Sequence, residues 1–241
     1  IADRVVRTRL AEGPKDPPDL VDLMLAAEDK ETGRAMGPVE ARNNLLTFVA
    51  AGHETTALAL SWALWLLAAD PAAQARLRAV ARDVLAPGGA PRAAEAEDLP
   101  RLAPIRAVVE ETLRLYPPAA IIARKAAAED ELAGVRIDPG DAVVVPVWAL
   151  HRHRRIWDDP DAFHPERFAA TRPAPPRGAF VPFGDGPRIC IGASFALTES
   201  TIVLATILAR FRLRVAGRPP RPVVTLTLRP KGGVRLSAEA L

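Results

Sequence analysis

Cys190 is the only cysteine in the 241-residue chain, and it lies in the stretch Phe183 to Gly192, FGDGPRICIG. With no second cysteine there is no disulfide partner within the chain. A lone cysteine is commonly a small buried hydrophobe, but this setting is unusual. Gly184, Gly186 and Gly192 frame the residue, and glycine lets a backbone turn tightly or approach a flat ligand closely. The pattern from Ala193 to Phe211 is helical, which places Cys190 just ahead of a helix N-terminus. Unpaired N–H groups at that end stabilise a thiolate. Such a thiolate, with Arg188 nearby, suits metal ligation or nucleophilic attack. Nucleophilic cysteine chemistry requires a positioned histidine, and the four histidines lie far away in sequence, outside any triad signature. Zinc would need three further ligands, and no second cysteine exists to help supply them.

Two other stretches could do chemistry. AGHETT, Ala51 to Thr56, interrupts an apolar helical pattern that runs from Val39 to Ala69. A helix-interior glycine costs about 1 kcal/mol, so Gly52 needs a reason. Either it allows close packing of another helix, or Ala51 and Gly52 leave room for a bound group, with the acid of Glu54 and the hydroxyl of Thr55 beside it. In the pattern from Leu102 to Tyr116, Glu111 and Arg114 share a helix face at i,i+3. Most such pairs are surface decoration. His151 and His153 stand two apart and would point different ways on a helix, which excludes a shared metal.

A haem iron needs only one protein thiolate, because the porphyrin fills the equatorial positions. The pattern Phe183-x-x-Gly186-x-Arg188-x-Cys190-x-Gly192 resembles the cysteine loop of the cytochrome P-450 family of haem-thiolate monooxygenases. AGHETT resembles that family's central distal helix, whose threonine and acidic neighbour are associated with proton delivery in oxygen activation. Glu111-x-x-Arg114 ahead of Pro117-Pro118 resembles the family's Glu-x-x-Arg helix, whose pair is buried and structural. Arg167, in His164-Pro165-Glu166-Arg167-Phe168, would be its third member. Arg124 matches a position that commonly contacts a haem propionate, and Ala119 to Ile122 would edge the substrate pocket. One local departure is His53 after Gly52, which would alter solvent access above the iron.

The resemblance implies a mainly α fold with small β-sheets (α+β), the cytochrome P-450 fold without its N-terminal part, so that residues 1–241 would form the C-terminal portion of a single haem-thiolate monooxygenase domain in a bacterial member. It implies haem b (iron protoporphyrin IX) ligated by Cys190, with Arg124 and Arg188 pairing the propionates and Phe183, Gly186, Gly192, Ala51 and Gly52 shaping the site. Thr55 and Glu54 would handle protons. The implied partners are dioxygen, a small apolar organic substrate, and a ferredoxin or flavodoxin with its NAD(P)H-dependent reductase. A non-catalytic haem-binding remnant or sensor is the alternative from another class, and a peroxide-using variant a third. The intact Glu54-Thr55 pair argues against both.

The elements that must position these residues are legible from punctuation. Ile1 to Leu10 reads as a helix end, and Asp19 as the N-cap of Leu20 to Ala27. Pro38 suits a first helical position. The long helix stops at Asp70-Pro71, and Pro71 to Leu85 is amphipathic. Ile121 to Lys125, Gly134 to Ile137 and Ala142 to Val147 read as short strands, and Val223 to Leu236 as a hairpin about Lys231-Gly232-Gly233. Phe48, Leu58, Trp62 and Trp65 are expected to present apolar surface on the long helix that the remaining chain does not cover, giving weak haem retention to the isolated segment.

Hydrophobic residues are 49% and charged ones 25% of the chain, at a net charge of +3, which fits a globular core. Basic clusters such as His151 to Arg155 accompany neither stacking aromatics nor a nucleic-acid motif. They are expected to be solvated or haem-facing, with no nucleic acid as partner. The apolar run Ala57 to Ala69 is too short for a membrane span of about 20 residues. No targeting segment is recognised, and a cytoplasmic location is the expectation.

Overall fold

The computed structural model describes all of residues 1–241, which divide into two compact units, Ile1–Glu54 and Thr55–Leu241. In the first unit, α1 (Ala2–Glu12), α2 (Leu20–Ala26) and the opening turns of α3 (Pro38–Ala69) bury Val6, Met24 and Ala41 together. Asp19 caps α2 by accepting from the N–H groups of Val21 and Asp22. Arg9 of α1 donates to the same carboxylate through two bonds of 2.8 Å, closing the connecting loop.

In the second unit, α3 stops at Ala69 because Asp70 precedes a proline, a position that disfavours helical backbone. The Asp70 carboxylate then accepts from the N–H groups of Ala72 and Ala73 and opens α4 (Pro71–Leu85). α5 (Ala103–Leu115) follows a 3-10 stretch and ends ahead of Pro117. α6 (Val147–Leu150) is a single turn, and α7 (Ala193–Arg210) leads away from the cysteine loop. The core is built where α3, α4, α5 and α7 meet, from Ala63, Leu67, Leu85, Val108, Leu204 and Leu208 among others. α7 is 18 residues long with mean hydropathy 1.3, enough to cross a membrane by length and composition. Its buried stripe lies in that core, which accounts for its apolar character.

Gln74 of α4 is buried and uses its whole amide. Its Nε2 donates to the carbonyls of Leu67 (2.9 Å) and Leu213 (3.0 Å), while Oε1 accepts from Leu213 N–H at 2.8 Å. This ties α4 to a late segment of the chain. β1 (Ile122–Lys125) pairs antiparallel with β4 (Ala142–Val145). β2 (Asp130–Leu132) and β3 (Val135–Ile137) form a hairpin on Ala133 and Gly134, whose φ values of 52° and 81° meet the positive-φ demand of a two-residue turn.

Near the end, the pairing differs from the expected hairpin. β6 (Pro222–Val224) and β7 (Leu228–Pro230) turn at Thr225–Thr227, not at Lys231-Gly232-Gly233. The two glycines, each at φ 77°, instead redirect the chain toward β8 (Leu236–Ala240), which pairs with β5 (Phe211–Val215). A second correction concerns the later turns of α3, since on its early turns Val39, Leu46 and Val49 do remain exposed as expected. Trp62 is fully buried, stacked on Tyr116 at a centroid distance of 3.9 Å, and Trp65 meets its edge at 6.2 Å. Tyr116, Ala120 and Leu228 cover this stretch of the helix. The second unit's exposed large apolar side chains lie elsewhere, at Ile121, Ile189, Ile191, Phe195 and Leu226 among others.

Candidate haem-binding site

Cys190 stands three residues before α7, whose N-cap is Gly192, and it is exposed. The Cys190 N–H donates to the Phe183 carbonyl at 2.9 Å and closes the loop. Inside the loop, Gly184 and Gly186 have φ values of 79° and 73°. Side chains rarely adopt that left-handed backbone, so the glycines are required by conformation. A Cβ built on Gly184 would lie 3.7 Å from Ile122 Cδ1 and 3.9 Å from the Arg188 carbonyl. The start of β1, the strand that carries Arg124, therefore rests against the loop beside Arg188.

The donor set fits one kind of metal group. No cluster of three His, Cys, Asp or Glu side chains converges to hold an ion, so Cys190 would be the single protein ligand. A macrocycle that supplies its own equatorial donors satisfies that count. The surroundings match its two chemical faces. Ile189 and Ile191, 54% and 83% exposed, flank the thiol and offer apolar surface to a flat ring. Arg188 and Arg124 are exposed without a carboxylate partner, Arg124 donating only to its neighbour Ala123's carbonyl at 3.0 Å. Two uncompensated guanidiniums fit an anionic rim, as two propionates provide.

Of the AGHETT residues, Ala51, Gly52 and Glu54 belong to the first unit and Thr55 to the second, all within the continuous α3. Ala51 and Thr55 stand at i,i+4 and share a face. A Cβ on Gly52 would meet no atom within 4 Å.

Glu111, Arg114 and Arg167 are brought together. Arg114 donates to both Glu111 oxygens, at 2.7 and 2.8 Å, with both side chains fully buried. Its remaining donors reach the carbonyls of His151 (2.9 Å), Pro160 (2.7 Å) and Ala162 (3.0 Å). Glu111 also accepts from His164 N–H at 2.8 Å, and Arg167 Nε lies 3.5 Å from it. Arg114 thus pins three points of the loop between α6 and the cysteine segment.

The basic cluster at His151 to Arg155 divides. His153 and Arg154 are exposed as expected, but Arg152 is not solvated: its guanidinium lies 4.1 Å over the Trp148 ring and 5.5 Å from that of Tyr116. His151 is fully buried, a role no signal of spacing disclosed. Burial pushes its pKa from 6.5 down to about 4, and the neighbouring Arg114 and Arg152 charges act in the same direction, against the carbonyls of Leu113 and Arg114. The folded protein therefore binds fewer protons than the unfolded chain between those values. Its contribution is intact above pH 6.5 and lost as pH falls toward about 4. Thermal unfolding across that window should decline less steeply in His151→Gln than in the parent. Parallel curves would remove His151 as a source of acid sensitivity.

The family model for Cytochrome P450 matches residues 2–236. Cyclooctatin synthase from Streptomyces melanosporofaciens is 40% identical over 234 residues, covering 95% of this chain and 50% of that protein. Cyclooctat-9-en-7-ol 5-monooxygenase from the same organism is 40% identical over 227 residues, 94% of this chain and 47% of that protein. A cytokinin hydroxylase from Arabidopsis thaliana is 40% identical over 197 residues, 81% and 37% respectively. The chain spans about half the length of the first two relatives. Its match to the family model over nearly its whole length, with the mixed helical and small-sheet architecture above, establishes that the chain belongs to the cytochrome P450 family.

Proposed function

We propose that this chain carries haem b on Cys190 and works as the thiolate-bearing part of a monooxygenase that inserts one atom of dioxygen into a small apolar organic substrate. The observation that carries this reading is the exposed Cys190 as sole protein donor, flanked by exposed isoleucines and unpaired arginines. Bound there, haem supplies one-electron and dioxygen chemistry, and a thiolate ligand favours O–O cleavage. The chain's own residues bind and orient. Arg124 and Arg188 hold the propionates through charge-assisted bonds. Ala51 and Gly52 leave space on α3, Thr55 presents a hydroxyl that relays a proton, and Glu54 resupplies it. Ala119 to Ile122 edge the substrate. Electrons come from a ferredoxin or flavodoxin and its NAD(P)H-dependent reductase. The printed name of one relative, a 5-monooxygenase, supports oxygen insertion as the reaction class. The reading is tested by the reduced carbon monoxide difference spectrum of the full-length protein, followed by product yield with a surrogate reductase system.

Thr55→Ala separates proton handling from haem binding. General acid–base assistance is worth about 10²–10⁴-fold, but water substitutes as a poorly directed proton source. The variant should keep its haem and consume reductant, release more hydrogen peroxide and make less product. Equal product per reductant in variant and parent would remove Thr55 from the relay.

A further inference from the structure

One buried titratable side chain takes no part in the chemistry above, and it lies between the Glu111–Arg114 pair and the cysteine loop. His151 has 0% exposure, and its ring centroid sits 5.3 Å from that of Phe180. Its carbonyl accepts from Arg114 Nη1 at 2.9 Å, while its Nε2 accepts from Val181 N–H at 2.9 Å. An imidazole that accepts at Nε2 is neutral with its proton on Nδ1, and Nδ1 is buried without a well-formed partner, beside the carbonyls of Leu113 and Arg114. Beyond Val181 the bonds continue. The Val181 carbonyl accepts from Gly184 N–H at 3.1 Å, and the Phe183 carbonyl from Cys190 N–H at 2.9 Å. Pro182 between them is buried and has no N–H to offer.

We propose that His151 is a positioning residue for the cysteine loop, its Nε2 anchoring Val181 and so transmitting the rigidity of the Arg114 network to Cys190. The anchor is a property of the protein alone. Its consequence, a thiolate held in register for iron, rests on Cys190 being the haem ligand.

Packing and hydrogen bonding make different demands on position 151. Leucine fills comparable space but removes the acceptor of the half-buried Val181 N–H. Glutamine keeps an acceptor at similar reach, whereas asparagine falls short. A residue that only packs would make the glutamine variant no better than the leucine one.

The experiment uses the full-length protein, without and with haem. Amide hydrogen exchange in the haem-free form should be about 10- to 100-fold faster at Val181 and Cys190 in His151→Leu, while core amides such as Leu77 and Leu204 change much less. His151→Gln should restore most of the protection. With haem, the thiolate-type carbon monoxide spectrum should decay faster in the leucine variant than in the glutamine variant. If the leucine protein does not fold, glutamine against asparagine carries the same contrast. Exchange that rises equally across the core, or glutamine and leucine behaving alike, would overturn the anchor. The expected exchange pattern in a parent that lacks the thiolate spectrum would keep the anchor and remove the haem reading.

Discussion

Cys190→Ser should give a folded protein whose reduced carbon monoxide spectrum lacks the thiolate signature entirely. The loop does not depend on sulfur for its shape. Its closure is a backbone bond from Cys190 N–H to the Phe183 carbonyl, and its turns are set by Gly184 and Gly186. What sulfur contributes is a ligand that ionises, since a cysteine thiol has a pKa near 8.5, which a metal lowers further. A serine hydroxyl does not ionise in that range. Cys190 is the only cysteine among these 241 residues, so none of them supplies another thiolate. The measurement is the spectrum together with far-ultraviolet circular dichroism of the same sample. A thiolate-type spectrum that survives in the serine protein removes Cys190 from the iron.

Glu111→Ala should sharply reduce the yield of folded, haem-loaded protein. Removing one partner of a buried pair leaves the other charge uncompensated, at a cost of about 3–5 kcal/mol, against a total stability of about 5–15 kcal/mol. Arg114 has no route to water, since both side chains are 0% exposed. The same deletion strips the acceptor from His164 N–H. The exposed pair Arg76–Glu166, with side chains 62% and 59% exposed, is the internal control; breaking it should cost about 1 kcal/mol or less. Unfolding midpoints and haem content of the two variants decide the matter. Normal haem content with turnover alone abolished in Glu111→Ala would assign the pair to chemistry instead.

The parts legible in the sequence are those written in local chemistry. Asp70-Pro71 ends one helix and opens the next, and Pro117 stops α5, because proline's effects are confined to its own neighbourhood. Positive φ at Gly184 and Gly186 follows from the same locality. What the sequence did not disclose was decided at long range. Lys231-Gly232-Gly233 carries the stronger turn signal, yet β6 and β7 turn at Thr225–Thr227, because β8 is drawn off to pair with β5. Trp62 looks like surplus apolar surface until Tyr116 is placed flat against it. In the sequence His151 reads as half of a rejected metal pair with His153 and as the start of a basic cluster, and neither reading places it in the core. Its partner is a backbone N–H thirty positions away, and backbone donors leave no trace in residue types.

The Gln74 clasp has a consequence for how the chain is made. Its two halves lie 139 positions apart, and the core beside it draws on residues from Ala59 through Ala209. On a ribosome adding about 5–20 residues per second, the early side of that core waits roughly 7–30 s for its complement. Throughout that interval Leu67, Leu77 and Leu85 have no final neighbours on α7 or β5. The nascent chain therefore exposes those apolar segments over that interval, and slowing translation should lower its soluble yield, read as the soluble fraction of the expressed protein.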